Sequence, residues 1–147
     1  MTERQAFVPT NEQLARWLDK QTLLTIASHG SDGYPNAASV AFSQSADFHF
    51  VIITDKDSRK AHNIAGNNKV ALTITNLDDR YTLQVQGNAQ QMSWDEFAEY
   101  AEAHYRKLPF TLPFKDIPGQ TPYVIEPVSM KFTDVNVRPW AITEIAL

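Results

Sequence analysis

Two neighbouring segments, Lys69–Thr75 and Tyr81–Ala89, alternate apolar and polar side chains with a period of two, which commits this part of the chain to a sheet with one buried face. In the first, Val70, Leu72 and Ile74 share a side. In the second, Tyr81, Leu83, Val85, Gly87 and Ala89 oppose Thr82, Gln84, Gln86, Asn88 and Gln90. Only Asn76 to Arg80 lies between them, so antiparallel pairing is the default. Further strands are predicted over Leu23–Ser28, Asn36–Ser43, Phe48–Thr54 and Tyr123–Val135, separated by turn signals such as Ser31-Asp32-Gly33. Pro127 interrupts the last of these and implies an edge or a bulge there.

Three helices punctuate the strands. Thr10 with Gln13 and Ser93 with Glu96 have the spacing of capping boxes. The first opens a helix with Leu14, Trp17 and Leu18 on one face; the second opens a helix with a buried stripe of Phe97, Tyr100, Ala101 and His104. Ser58 is a candidate N-cap for a helix that stops at Gly66-Asn67, and Leu108–Thr121 reads as a proline-rich loop. The expected architecture is mainly β with peripheral helices, one domain over residues 1–147, its antiparallel strands forming a closed or nearly closed barrel. Phe48, Phe50 and Ile52 alternate with Val51 and Ile53, so this strand is apolar on both sides, and a second subunit is expected to cover the face the core does not.

Bulk properties narrow the function. The net charge is −4, and the only tight basic cluster is Arg59-Lys60 with Lys56 nearby, so nucleic acid is not expected as a partner. No apolar run has the length of a membrane span, no basic-then-apolar leader opens the sequence, and cysteine is absent; these favour the cytoplasm and give no thiolate chemistry. His29, His49, His62 and His104 lack metal-ligand spacing, and no nucleophile or dinucleotide-loop signature is present.

The segment Thr54-Asp55-Lys56-Asp57-Ser58-Arg59-Lys60-Ala61-His62 carries the clearest chemistry. It reads as the end of a strand, a polar turn and the first turn of a helix. Cations in a first helical turn oppose the helix dipole, so Arg59 and Lys60 are badly placed for stability and well placed for a phosphate. The small residues Ala37 to Ala41 would let a strand backbone lie close to a flat ligand. Together these suggest a site for a ready-made reactive cofactor.

Asp32-Gly33-x-Pro35, the Thr54 strand end, Ser58-Arg59-Lys60-Ala61-His62, Asn67/Asn68 before Val70, and Val85-x-Gly87-x-Ala89 stand in an order that resembles the pyridoxamine 5′-phosphate oxidase-like FMN-binding split barrels. The resemblance spans roughly Leu23 to Ser93. It implies a six-stranded antiparallel split β-barrel that forms a homodimer with FMN in the subunit interface. It places Ser58, Arg59 and Lys60 at the phosphate, Ala38, Ser39, Val40 and Ala41 beside the ring or ribityl chain, and Ile53 and Thr54 against the cofactor. Thr82 and Gln84 fall near the family's flavin-contacting Gln, and Trp140 or the Phe110/Phe114 loop is expected to cover part of the ring from the second subunit. Three departures matter: Ala38 stands where the oxidase has Arg, Thr82 stands at the position of the Gln, and Lys131–Trp140 lacks the oxidase's Arg-rich substrate segment. The expectation is a short relative, not the vitamin B6 oxidase. It would be an FMN-dependent oxidoreductase or flavin reductase serving a small-molecule electron donor or acceptor. A non-catalytic binder of flavin or haem is the other reading, and haem or a deazaflavin are the other cofactors.

Overall fold

The computed structural model describes residues 4–147. One antiparallel sheet forms the body, in the order β2-β1-β5-β6-β7-β4-β3. Its main strands are β1 (Leu23–His29), β2 (Pro35–Ala41), β4 (Phe50–Asp55), β5 (Lys69–Asn76), β6 (Tyr81–Gln91) and β7 (Gln120–Asp134). Two short strands extend it: β3 (Ser43–Gln44) pairs with β4, and β8 (Ala141–Glu144) pairs with β7. The sheet curls so that β2 and β4 approach one another without forming a ladder, which leaves the barrel split along that seam.

The alternating segments behave as their pattern requires. Val70, Leu72 and Ile74 on β5 and Leu83, Val85 and Ala89 on β6 are buried in one core, while Gln84, Gln86, Asn88 and Gln90 are exposed. Helix α1 (Asn11–Asp19) contributes Leu14, Trp17 and Leu18 to that core. Its Thr10 cap makes both capping-box bonds, as Ser93 does for α3 (Trp94–Lys107). Phe132 is fully buried at the centre of an aromatic cluster, edge-on to Phe7 and Trp17 and tilted against Tyr81.

Pro127 marks a bulge inside β7. Gly87 of β6 is opposite Pro127 and Gln86 is opposite Ser129, so Val128 is the extra residue. The insertion changes the phase of the strand: Tyr123 and Ile125 point into the core before it, and Met130 and Phe132 after it. Pro127 also lies between the β4-paired stretch, 120–125, and the β8-paired stretch, 131–134, where that side of β7 has no neighbour. Gly87 is needed at this point, because a Cβ there would meet Glu126 O at 2.7 Å and Ile125 Cγ2 at 2.8 Å.

Two expectations are corrected. Residues Pro109–Asp116 form a 3-10 helix within the segment read as loop. The second apolar face of β4 is covered within the same chain, because Val51 and Ile53 pack with Met92 and Phe97 of the α3 region. The two-sided pattern of this strand therefore needs no second subunit.

Helix α3 also carries a buried polar pair. His104 Nδ1 lies 2.7 Å from Ser43 Oγ and is 1% exposed. Lys107 Nζ donates to Leu18 O at 3.0 Å and Gln44 Oε1 at 2.7 Å and sits over the Phe42 ring. Burial, and then the charge of Lys107, push the His104 pKa down to about 4 from 6.5. Burial likewise pushes Lys107 down to about 7, against the pull of Asp19, so Lys107 is mostly protonated where His104 titrates. Between pH 6.5 and 4 the unfolded chain holds a proton on this histidine that the folded chain refuses. Stability therefore falls as pH drops through that window, by on the order of 3 kcal/mol in total. Denaturant titrations at pH 4.5 and 7 should show a smaller acid-linked loss for His104→Leu than for the parent protein. An equal loss in both would assign the acid sensitivity elsewhere.

Candidate functional site

Strand β4 ends at Thr54 and Asp55, and a tight turn sends the chain into helix α2 (Arg59–Gly66). Asp55 Oδ1 accepts from Asp57 N at 2.8 Å, Ser58 N donates to Asp55 O at 3.0 Å, and Lys56 N donates to Gly119 O at 2.8 Å. These bonds fix the turn to itself and to the start of β7. Ser58 adopts extended φ/ψ and its Oγ accepts from Ala61 N at 3.3 Å, so it is the N-cap; Thr54 Oγ1 lies 3.4 Å from Ser58 Oγ. The amides of Arg59 and Lys60 then have no acceptor inside the helix and remain available.

Arg59 and Lys60 border an open cleft of about 250 Å³, lined otherwise by Ile26 and Ser28 of β1 and by Pro35, Asn36, Ala37 and Ala38 of β2. No acidic residue occupies the first turn of α2. Among the described residues the one ion pair is Arg16–Glu12, so neither Arg59 nor Lys60 has a carboxylate within bridging distance. Burial lowers the Lys60 pKa and the nearby Asp55 charge partly offsets it. A partly desolvated ammonium, an unpaired guanidinium and free helix amides thus converge on one cleft, and an anion there would relieve all three.

Strand β2 hydrogen-bonds only to β1, so its other edge is free; β4 beyond Val51 is likewise unpaired on the side away from β7. Ala38 and Val40 are half-buried on the core side, Ser39 is exposed, and Ala41 is half-buried. The Thr54 side chain is buried beside the helix cap, whereas the Ile53 side chain points into the α3 cluster and leaves only its backbone at the seam. The sequence-predicted residues Ala38, Arg59 and Lys60 line the cleft, with Ser58 and Thr54 beside it and Ser39, Val40 and Ala41 continuing along the β2 edge.

Thr82, Gln84 and Trp140 lie elsewhere in this chain. Thr82 and Gln84 are on the outward side of β6, Thr82 bonded to Thr75 at 2.7 Å. Trp140 is half-exposed just before β8, with Arg138 over its ring. The outward face of β2-β1-β5-β6 carries mostly small and neutral polar side chains, with Ala37, Ala27, Ala71 and Gln86 in register across four strands and with Lys69 and Leu23 as a charged and a large apolar exception. A hollow of about 550 Å³ on this face is lined in part by Ser28 and Pro35, which also border the cleft.

A sequence profile described as pyridoxamine 5′-phosphate oxidase matches residues 10–133. The chain belongs to the pyridoxamine 5′-phosphate oxidase family. Within the family it is similar to the pyridoxine/pyridoxamine 5′-phosphate oxidase of Burkholderia vietnamiensis, at 30% identity over 89 residues, which is 60% of this chain and 42% of the relative. The chain thus matches less than half the length of that curated enzyme. In fold it is similar to the haem binding protein from Mycobacterium smegmatis (TM-score 0.75, 16% identity, 95% of this chain and 60% of that one). It is also similar to an F420 reductase (TM-score 0.67, 21% identity, 84% of this chain and 98% of that one). These likenesses establish the family's split barrel as the fold of this chain. No helix among the described residues is long and apolar enough to cross a membrane, and no group of three or more metal-ligating side chains gathers among them.

Sequence reasoning missed Asn63. It is 9% exposed on α2, four residues after Arg59, and its Nδ2 donates to Ser28 Oγ at 3.0 Å and to Asn36 Oδ1 at 2.9 Å. The available signal was a polar residue that helical spacing puts one turn below the two cations.

Proposed function

We propose that this chain is an FMN-binding flavoprotein that works as a homodimeric oxidoreductase or flavin reductase. The observation that carries the reading is the pair of cations without carboxylate partners at the start of α2, one of them partly buried, beside the free edge of β2. These residues fit a phosphate monoester bearing a planar ring. Arg59, Lys60 and the α2 amides would hold the phosphate; the unpaired amides of β2 would hydrogen-bond the ring edge, and small side chains there would let the ring lie close. When bound, FMN supplies the redox chemistry, and the chain supplies binding, orientation and exclusion of water.

The homodimer forms, in this reading, through the outward face of β2-β1-β5-β6. A second copy seated there lies over the hollow that shares Ser28 and Pro35 with the cleft, and brings side chains that one copy keeps away from its own cleft, Trp140 among them. Electrons come from a small-molecule donor, and the protein acts in the cytoplasm.

The full chain, purified and then supplied with FMN, should be yellow and show the bands of oxidised flavin, and should sediment as a dimer. A preparation that stays colourless with FMN in excess overturns the reading. A Soret band would assign haem instead, and uptake of a deazaflavin in place of FMN would assign that cofactor. Anaerobic mixing of the loaded protein with NADH or NADPH should bleach the flavin; failure with every electron donor would leave a carrier in place of a catalyst.

A further inference from the structure

We infer that Asn63 is a positioning residue that sets the distance between the phosphate end and the ring end of the binding cleft; this rests on the FMN reading above. The cleft is assembled from two elements that could move independently. Arg59 and Lys60 belong to helix α2, whereas Asn36 to Ala38 belong to the edge strand β2. Helix α2 meets the sheet mostly through Ala61 and Ile64 in the core, and apolar contacts of that kind fix depth better than they fix rotation or sliding.

Asn63 supplies the missing direction. Its one amide nitrogen uses both hydrogens, one on Ser28 of β1 and one on Asn36 of β2. Among the described hydrogen bonds, it is the one side chain from Arg59–Gly66 that reaches the sheet. Its two acceptors are themselves walls of the cleft, and Asn63 sits three and four residues beyond the two cations, on their side of the helix. The clamp therefore closes the base of the cleft. It also sets where the first-turn amides and cations stand relative to the β2 edge. A bulk apolar residue of the same size would preserve the packing and lose the register.

The test compares FMN with riboflavin, which carries the same ring and no phosphate. For the parent protein, fluorescence titration should give tighter binding of FMN than of riboflavin. Asn63→Leu should weaken FMN about tenfold, the equivalent of two neutral hydrogen bonds, and leave riboflavin within twofold. Ser28→Ala, which removes one of the two bonds, should give a smaller loss of the same kind. It also serves as the readout if Asn63→Leu fails to fold. A general loosening of the fold would weaken both ligands together, and an unchanged FMN-to-riboflavin ratio in a folded variant would overturn the positioning role. A parent protein that binds neither ligand, or binds both equally, would instead overturn the FMN reading on which this role rests.

Discussion

Replacing Arg59 and Lys60 together with alanine should cost the protein most of its affinity for FMN while leaving the apo fold at least as stable as before. The two effects have opposite signs for one physical reason. In the apo chain both cations oppose the dipole at the start of α2, and the burial of Lys60 outweighs its attraction to Asp55, so their removal brings the fold no net electrostatic loss. With a phosphate bound, each contributes charge-assisted hydrogen bonds of about 1.5–3 kcal/mol. The double variant should bind FMN between about a hundredfold and ten-thousandfold more weakly. Riboflavin affinity should be nearly untouched. Isothermal titration with both ligands, alongside a denaturant midpoint for the apo protein, measures the two signs separately. Equal losses for both ligands, or an apo protein several kcal/mol less stable, would show that these cations serve the fold.

The second large effect is on stability. Phe132→Ala should destabilise the protein by about 3–5 kcal/mol, a large share of the ~5–15 kcal/mol available to a domain of this kind. Phe132 is fully buried where three other parts of the chain meet: Phe7 of the N-terminal segment, Trp17 of α1 and Tyr81 of β6. Truncation leaves a void walled by rings, which are too stiff to collapse into it. Phe7 is held by its own amide, which donates to Asp134 Oδ2 at 2.9 Å, so it cannot move freely to fill the gap. A urea midpoint shift equivalent to less than about 1.5 kcal/mol would show that the cluster relaxes after all.

Much of this was readable in advance, where the cause is local. The caps at Thr10, Ser58 and Ser93 are read from a side chain and an amide three residues away, and all three act as their spacing requires. The period-two segments 69–75 and 81–89 could bury their apolar sides only in a sheet. Arg59 and Lys60 were legible as a candidate anion site because their charges are placed against helix stability, a cost visible without coordinates. Other features depend on contacts across the chain. The outer face of β4 needs a cover, but nothing near Val51 says that α3 provides it. His104 finds Ser43 from 61 positions away, and Asn63 finds Ser28 from 35 away. Pro127 announced a disturbance in β7, while the neighbours that make it a bulge are known only once the sheet is assembled. The proline-rich segment hid a 3-10 helix because Pro109 and Pro113 argue against an α-helix without specifying the tighter turn that replaces it.

The free edge of β2 has a further consequence for handling the molecule. From Pro35 to Ala41 the strand carries no charged side chain, and apart from where β4 approaches, its rim of backbone donors and acceptors has only Arg59 and Lys60 of α2 beside it to repel another chain. A ligand lying along that rim is thus also a guard against unwanted strand addition. Stripped protein, kept concentrated, would be the form that clumps.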